Sequence, residues 1–255
     1  MINIKNLSLS IDDKKVLNDI NIDFPKNKLS IILGPNGSGK TTLIKTVLGL
    51  LKYTEGNILI DSKELSIMDE KEKALNISYL SQSRNTPSLS VERMVLHGRF
   101  PHLSWPRHYS KKDWDIVEDA MRKTGCISFR KRNLTTLSGG ERQKVYLAMC
   151  LCQTTPIILM DEPTTYLDIE NQLSLMKLCR DLCENENKTI VMVLHDIPLS
   201  LKYADYLCLL NKGNIVAKGT RDEVYNSHIL DKTFNVSIKR TLIDNSYHYY
   251  TQEKE

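Results

Sequence analysis

The chain has 255 residues, of which 41% are hydrophobic and 26% charged, values typical of a soluble protein with a substantial core. Its net charge of +4 is too small to indicate nucleic-acid binding. No apolar run approaches the ~20 residues that span a bilayer. The first residues carry no secretory pattern, so we expect a cytoplasmic protein.

The first 33 residues alternate between apolar and polar side chains, which predicts antiparallel strands. From Ser90 to about Cys152 the pattern is helical and indicates a helical insert. The last ~25 residues predict a hairpin with residues 244–246 as its turn. Buried strands, separated by helical segments, are predicted at 29–33, 57–60, 77–81, 156–161, 189–194 and 206–210. This alternation predicts an α/β fold with a mostly parallel sheet and a site at its carboxyl edge.

Residues 34–41 have the form G-x-x-x-x-G-K-[ST] and lie between a predicted strand and a predicted helix. Glycines let backbone N–H groups turn toward a polyphosphate, and the helix N-terminus adds partial positive charge. Lys40 is expected to reach the β- and γ-phosphates, and the Thr41 hydroxyl to ligate Mg²⁺. The predicted nucleotide contacts in this segment are Gly34, Pro35, Asn36, Gly37, Ser38, Gly39, Lys40, Thr41 and Thr42.

Two further segments complement this loop. An apolar strand ends in Asp161 and Glu162, which are placed to hold Mg²⁺ and to orient or deprotonate the attacking water. An acid pair alone is weak evidence, but at a strand end that follows a phosphate loop it is strong. The segment L-S-G-G-E-R-Q at 137–143 begins a predicted helix, with Ser138 as its N-cap.

At these residues the chain resembles the ATP-binding cassette (ABC) ATPases, from about residue 1 to residue 225. The resemblance implies that 34–42 is the Walker A loop, 157–162 the Walker B strand with the catalytic glutamate, and 137–143 the family signature. It also implies three single roles: Gln82 senses Mg²⁺, water and the transport partner, Asp168 belongs to the D-loop, and His195 contacts the γ-phosphate. The implied catalytic residues are Lys40, Gln82, Glu162 and His195, and the implied metal ligands are Thr41, Gln82 and Asp161.

The same resemblance implies the architecture and the cofactors. We expect a P-loop NTPase (RecA-like) core, an N-terminal antiparallel β subdomain, and a helical subdomain inserted at about 86–154. The ABC domain would cover 1–225, and 226–255 would form a C-terminal extension. ATP and Mg²⁺ are the expected ligands.

The signature implies a second copy of the chain. In ABC ATPases two cassettes pair head to tail, and each site combines one copy's Walker A loop with the other copy's signature. Because the chain carries one cassette, a homodimer is expected. The residues expected to contact the opposite copy's site are Ser138, Gly139, Gly140, Glu141 and Asp168.

One position departs from the family pattern. Family members usually place an aromatic residue against adenine about five residues before the pair that matches Val16 and Leu17. Ile11 stands there instead. We expect an aliphatic contact with weaker base selectivity.

The segment G-R-F-P-H at 98–102 narrows the group, because a G-R-x-P-H run resembles importer ATPases for iron–siderophore, haem and cobalamin. Ferric siderophore is favoured, with haem and cobalamin open. Transport would need separate integral-membrane permease subunits and, indirectly, an extracellular or periplasmic substrate-binding protein. The chain would then lie at the cytoplasmic face of the membrane.

Charge is unevenly distributed along the chain. Between Arg99 and Arg132 there are nine Lys or Arg against four Asp or Glu, an excess of five. There are two alternative explanations of this excess: a solvated helical face, or a surface that lies near anionic lipid or an acidic partner. Its overlap with the 98–102 motif favours the membrane-facing alternative.

Other classes of ABC protein fit less well. A DNA-repair ATPase needs a long coiled coil between Walker A and signature, and the 96 residues between Thr41 and Ser138 leave no room for one. Translation-type factors usually carry two cassettes and a charged linker, and this sequence shows neither. An iron–sulfur cluster assembly ATPase without a permease remains an alternative.

Overall fold

A computed structural model describes residues 1–82, 85–165, 167–244 and 246–254. The chain forms two compact units, one of residues 1–68 with 179–255 and the other of residues 69–178. The strands are β1 (Ile2–Ile11), β2 (Lys14–Phe24), β3 (Leu29–Leu33), β4 (Glu55–Ile60), β5 (Lys63–Glu64), β6 (Ile77–Leu80), β7 (Ile157–Asp161), β8 (Thr189–Val193), β9 (Tyr206–Asn211), β10 (Asn214–Thr220), β11 (Val236–Ile243) and β12 (Ser246–Glu253). The helices are α1 (Lys40–Val47), α2 (Glu70–Asn76), α3 (Val91–Leu96), α4 (Lys111–Lys123), α5 (Gly139–Cys152), α6 (Ile169–Asn185), α7 (Ile197–Tyr203), α8 (Arg221–Asn226) and α9 (Ile229–Phe234).

The first unit begins with an antiparallel sheet in the order β2–β1–β4–β5. The even-numbered Ile2 and Ile4 of β1 are buried, and the odd-numbered Asn3 and Lys5 are not. This period of two is the reason that the alternating sequence forms half-buried strands. The antiparallel subdomain predicted for the N-terminus is therefore present.

The first unit also contains a parallel set in which β3 lies between β8 and β9, with β10 antiparallel to β9. All five residues of β3 are buried, as expected for a strand covered on both faces. Ile32 pairs with Val193, so β3 and β8 end at the same level. Gly34 and His195, which follow these two strands, therefore lie at one edge of the sheet.

The second unit pairs β6 with β7 in parallel, with Leu80 opposite Met160. This register brings the ends of the two strands to one edge, where Gln82 and Glu162 follow. The helices of this unit between 91 and 152 correspond to the predicted helical insert. The division into domains at 86–154, 1–225 and 226–255 stays a prediction.

A buried ion pair organises the helical part of the second unit. Arg99 Nε lies 2.9 Å from Asp113 Oδ1, and Arg99 Nη1 donates to the Cys152 carbonyl at 2.8 Å. Burial raises the pKa of Asp113, but hydrogen bonds from Ser110 and Arg99 outweigh it and hold the pKa below its usual value. The arginine of the 98–102 motif thus joins the start of α4 to the end of α5.

The C-terminal part differs from the sequence prediction in one respect. β11 and β12 pair as an antiparallel hairpin, but α8 and α9, which precede it, were not predicted. Both helices have only six residues, too short for a clear periodic pattern. Asn245, in the predicted turn, lies outside the described residues. Among the described helices, none has the length and apolar character needed to cross a membrane.

Candidate nucleotide-hydrolysis site

The loop at 34–41 is shaped by glycines that contact neighbouring backbone. Gly34 has a φ of 157°, and a Cβ there would lie 2.1 Å from the Leu210 carbonyl oxygen. Gly39 has a φ of 102°, with Leu17 and Val16 3.0 and 3.1 Å from where its Cβ would be. Any other side chain at these two positions would displace the loop. The loop therefore depends on glycine for its close packing.

Polar groups of this loop point into its own concave side. Lys40, the first residue of α1, is buried, and its Nζ donates to the carbonyls of Gly34 and Pro35 at 2.8 and 3.0 Å. Ser38 Oγ is buried and has no hydrogen-bond partner among the described residues. A buried hydroxyl without a partner is costly, so the loop is suited to an added acceptor such as a phosphate oxygen.

In the second unit, Gln82 and Glu162 are in direct contact. Gln82 Nε2 donates to Glu162 Oε2 at 2.6 Å, and Thr165 Oγ1 lies 3.4 Å from the same oxygen. Glu162 has a φ of 50°, a left-handed conformation that costs a non-glycine residue ~1–3 kcal/mol. Asp161, at the end of β7, is 1% exposed, and Tyr79 Oη donates to its Oδ2 at 3.5 Å.

Helix α5 is hydrogen-bonded to the segments that follow Glu162 and Gln82. Gln143 Nε2 donates to the Pro163 carbonyl at 2.6 Å, one residue beyond Glu162. Tyr146 Oη donates to the Asn85 carbonyl at 2.9 Å, three residues beyond Gln82. We call these two hydrogen bonds the α5 tethers. Gln143 lies in the signature segment, but neither hydrogen bond was predicted, because nothing local marks a side chain that bonds a distant carbonyl.

Ser138 is the N-cap of α5, as predicted, and the structure adds a complete capping box. Ser138 Oγ accepts from the Glu141 N–H at 3.2 Å, and Glu141 Oε2 accepts from the Ser138 N–H at 2.8 Å. Arg132 Nη1 donates to Glu141 Oε1 at 3.1 Å. These hydrogen bonds, first that from Ser138, lower the pKa of Glu141. The carboxylate of Glu141 is therefore engaged by the cap of α5 and by Arg132 of the same chain.

The remaining predicted residues lie at the ends of elements. Asp168 Oδ1 accepts from the Asn171 N–H at 2.8 Å, at the start of α6. His195 is exposed and precedes Asp196, which caps α7. Ile11 is 42% exposed at the end of β1. The structure thus places Gln82 with Glu162 in one unit, and the 34–41 loop and His195 at one sheet edge in the other.

Comparison with known proteins identifies the class. The profile of the ABC transporter family matches residues 17–165, more than half of the chain. The chain belongs to the ABC transporter family, and it is an ATP-hydrolysing cassette. This confirms the family and the fold class inferred from the sequence.

Two curated relatives cover most of the chain. The petrobactin import ATP-binding protein FpuD of Bacillus anthracis is 39% identical over 233 residues, which are 91% of this chain and 85% of the relative. The iron(3+)-hydroxamate import ATP-binding protein FhuC of Bacillus subtilis (strain 168) is 36% identical over 231 residues, 90% of this chain and 86% of the relative. Two different chelates are thus named at nearly the same similarity.

Two solved structures share the fold along almost their whole lengths. An inward-facing metal-chelate type ABC transporter superposes with a TM-score of 0.85 at 26% identity, covering 98% of this chain and 95% of that one. The dimeric bacterial cassette MJ0796 gives a TM-score of 0.77 at 26% identity, covering 87% of this chain and 99% of that one.

Proposed function

We propose that this chain is the ATPase subunit of an importer for a ferric siderophore or related iron chelate. The observation that carries the hydrolytic part of the proposal is the 2.6 Å hydrogen bond between Gln82 and Glu162, and the importer part rests on the similar proteins. It joins the residue expected to sense the transport partner to the carboxylate expected to activate water. A hydrogen bond of this kind makes the position of Glu162 depend on the position of the Gln82 segment, which is what coupled hydrolysis requires.

The Walker A loop binds the triphosphate of ATP. Lys40 supplies positive charge at the β- and γ-phosphates, and the backbone N–H groups from Gly37 to Thr41 surround them. Ser38 Oγ, which is buried without a partner among the described residues, adds a further donor. His195 follows the neighbouring strand at the same edge and contacts the γ-phosphate.

Mg²⁺ prefers oxygen ligands, and each residue that the family resemblance assigns to it carries a side-chain oxygen. Thr41 offers a hydroxyl and Asp161 a carboxylate. The amide nitrogen of Gln82 is directed to Glu162, so its carbonyl oxygen is the atom left for a cation. When bound, Mg²⁺ neutralises charge on the β- and γ-phosphates.

Glu162 acts on the attacking water as general base or orienting group. Gln82 Nε2 and Thr165 Oγ1 lie 2.6 and 3.4 Å from Glu162 Oε2, and these contacts orient the carboxylate. The left-handed backbone of Glu162 turns its side chain from the strand direction toward Gln82. Hydrolysis therefore requires both the carboxylate and its fixed orientation.

A second copy of the chain completes each site. Ser138 caps the N-terminus of α5, and its hydroxyl is the group proposed to contact the γ-phosphate bound to the other copy. The N-terminus of α5, at Gly139 and Gly140, adds partial positive charge. Asp168 belongs to the same interface. The solved dimer of the MJ0796 cassette supports the pairing of two cassettes.

The cargo and the partners are inferred from similar proteins. FpuD and FhuC are named for import of petrobactin and of iron(3+)-hydroxamate, and the solved transporter is of metal-chelate type. A ferric siderophore is therefore proposed as cargo, passed by an extracellular or periplasmic binding protein to integral-membrane permease subunits. The chain would bind these subunits at the cytoplasmic face of the membrane.

Affinity purification from detergent-solubilised membranes tests the importer proposal. We expect an integral-membrane subunit to copurify with the chain in stoichiometric amount, and cells that lack the chain to lose growth on one ferric siderophore but not on ferrous iron. Elution without a membrane subunit, together with binding to soluble scaffold proteins, would support the iron–sulfur assembly alternative instead.

Ile11 leads to a prediction about base selectivity. An aromatic stacking contact contributes ~0.5–1.5 kcal/mol beyond the area that it buries, and an aliphatic side chain lacks it. We expect ATP and GTP to bind with Kd values within about fivefold of each other, and Ile11→Tyr to tighten both. Titration calorimetry with both nucleotides measures this, and a clear preference for one base in the native chain would contradict it.

A further inference from the structure

An exposed group of aromatic and basic side chains in the second unit has no role in the proposed ATPase cycle. Both tryptophans of the chain are in it: Trp105 is 88% exposed and Trp114 is 38% exposed, while Phe100 is 49% exposed. Large aromatic side chains are seldom left so accessible in a soluble protein. We define the aromatic–basic patch as Phe100, Trp105, Arg107, Lys111, Lys112 and Trp114.

The segment that carries most of the patch is held at both ends by side-chain contacts. The Arg99–Asp113 ion pair joins the two ends of the segment that carries the patch. Asp113 also accepts hydrogen bonds from Ser110, the N-cap of α4. His102 Nε2 lies 2.8 Å from the Gln153 carbonyl oxygen. Both ends of the segment are therefore anchored, and Trp105, which is 88% exposed, lies near its middle in sequence.

The charge of the patch has one sign. Residues 100–112 contain three Lys or Arg and no Asp or Glu. Arg107 lies over the Phe100 ring, 4.4 Å from its centroid, so aromatic and cationic groups are adjacent. Further along α4, Glu118 pairs with Arg122 and Asp119 with Lys123. The first exposed acidic residue beyond the patch is Asp115. The patch itself therefore has a net positive charge.

We propose that the aromatic–basic patch binds the headgroup layer of a bilayer that contains anionic lipid. Tryptophan is favoured at the membrane–water interface because its ring is amphipathic, and Lys and Arg are attracted to anionic headgroups. A segment whose Lys, Arg, Asp and Glu content is entirely positive is complementary to an anionic surface. This goes beyond the proposed function, since it gives the chain a direct membrane contact that needs neither permease nor cargo.

Flotation with vesicles tests the proposal on the purified full chain. We expect binding to vesicles of phosphatidylglycerol and phosphatidylcholine, a blue shift of tryptophan emission on binding, and weakening by salt. Vesicles of phosphatidylcholine alone should bind far less. Removing all three charges with Arg107→Gln, Lys111→Gln and Lys112→Gln should lower affinity about 100-fold, at roughly fivefold for each charge.

A charge-matched variant separates the patch from net charge. Lys14→Gln, Lys15→Gln and Lys239→Gln remove three exposed cations from the first unit, and this variant should bind like the native chain. Trp105→Ala should weaken binding and reduce the blue shift, with ATPase activity in solution unchanged. Equal loss in the patch and control variants would overturn the proposal. Absence of vesicle binding by the native chain would also overturn the proposal. If the patch variant in that case fails to retain the permease, the patch is a protein contact surface instead.

Failure of this proposal differs from failure of the importer proposal. If vesicles do not bind but the permease copurifies with the native chain, only the lipid contact is wrong. If vesicles bind as expected but no permease copurifies, the lipid contact holds and the importer proposal fails.

Discussion

Glu162→Gln is expected to leave ATP binding intact and to slow hydrolysis by about 10²- to 10⁴-fold, the usual contribution of a positioned general base. The substitution is nearly isosteric. Its side-chain carbonyl oxygen accepts the hydrogen bond from Gln82 Nε2 as the carboxylate does, so the local geometry is retained. What is lost is the charge and basicity of the group that faces water. Because hydrolysis opens the dimer, the variant should accumulate as an ATP-bound dimer.

Phosphate release and size-exclusion chromatography with ATP measure the two effects of Glu162→Gln. Glu253→Gln is the matched control, since it makes the same chemical change on an exposed residue of β12, and it should behave as the native chain. Turnover at the native rate in Glu162→Gln would remove this residue from the catalytic role. Loss of ATP binding together with turnover would instead indicate a misfolded site.

The fold and the positions of the motifs were predictable because their signals are local. The run L-S-I-I-L of β3 is apolar at every position except Ser30, which suits a parallel strand buried on both faces. Ser138 and Glu141 are three residues apart, the spacing of a capping box, so the start of α5 followed from sequence. Such patterns depend on short-range geometry and need no knowledge of the tertiary structure.

The long-range hydrogen bonds that hold the candidate site were not predictable in this way. Gln143 and Pro163 are 20 residues apart, and Tyr146 and Asn85 are 61 apart. A backbone carbonyl is present at every residue, so the sequence does not mark which one a glutamine or tyrosine will reach. The contact of Arg132 with Glu141 was not predicted either, since Arg132 was counted only as charge and Glu141 as a contact to the opposite copy.

The α5 tethers connect the signature to the residues expected to act in hydrolysis within the same copy. A partner's nucleotide that contacts Ser138 at one end of α5 acts on a helix whose side chains hold the carbonyls of Pro163 and Asn85. These carbonyls follow Glu162 and Gln82 closely in the chain. In a head-to-tail dimer, each copy would therefore connect its own hydrolytic residues to the site that it completes in its partner.

Mixing two inactive variants is expected to restore hydrolysis if the site is shared between copies. Lys40→Ala removes the cation of the phosphate loop, and Gly140→Asp places a carboxylate where the partner's γ-phosphate approaches. Each variant alone should lose at least about 10²-fold in turnover, as for removal of one key electrostatic contact. Gly140→Asp should still fold, because an acidic residue is favourable in the first turn of a helix.

A mixed dimer contains one site made from the intact loop of one variant and the intact signature of the other. Random pairing makes half of the dimers mixed, with one functional site of two, so an equimolar mixture should recover about a quarter of native activity if sites act independently. Mixing Lys40→Ala with the double variant Lys40→Ala/Gly140→Asp is the control, since no intact site forms. Steady-state ATPase assays of the mixtures measure this. Activity that stays at the level of the separate variants, while chromatography shows mixed dimers, would contradict a site shared between copies.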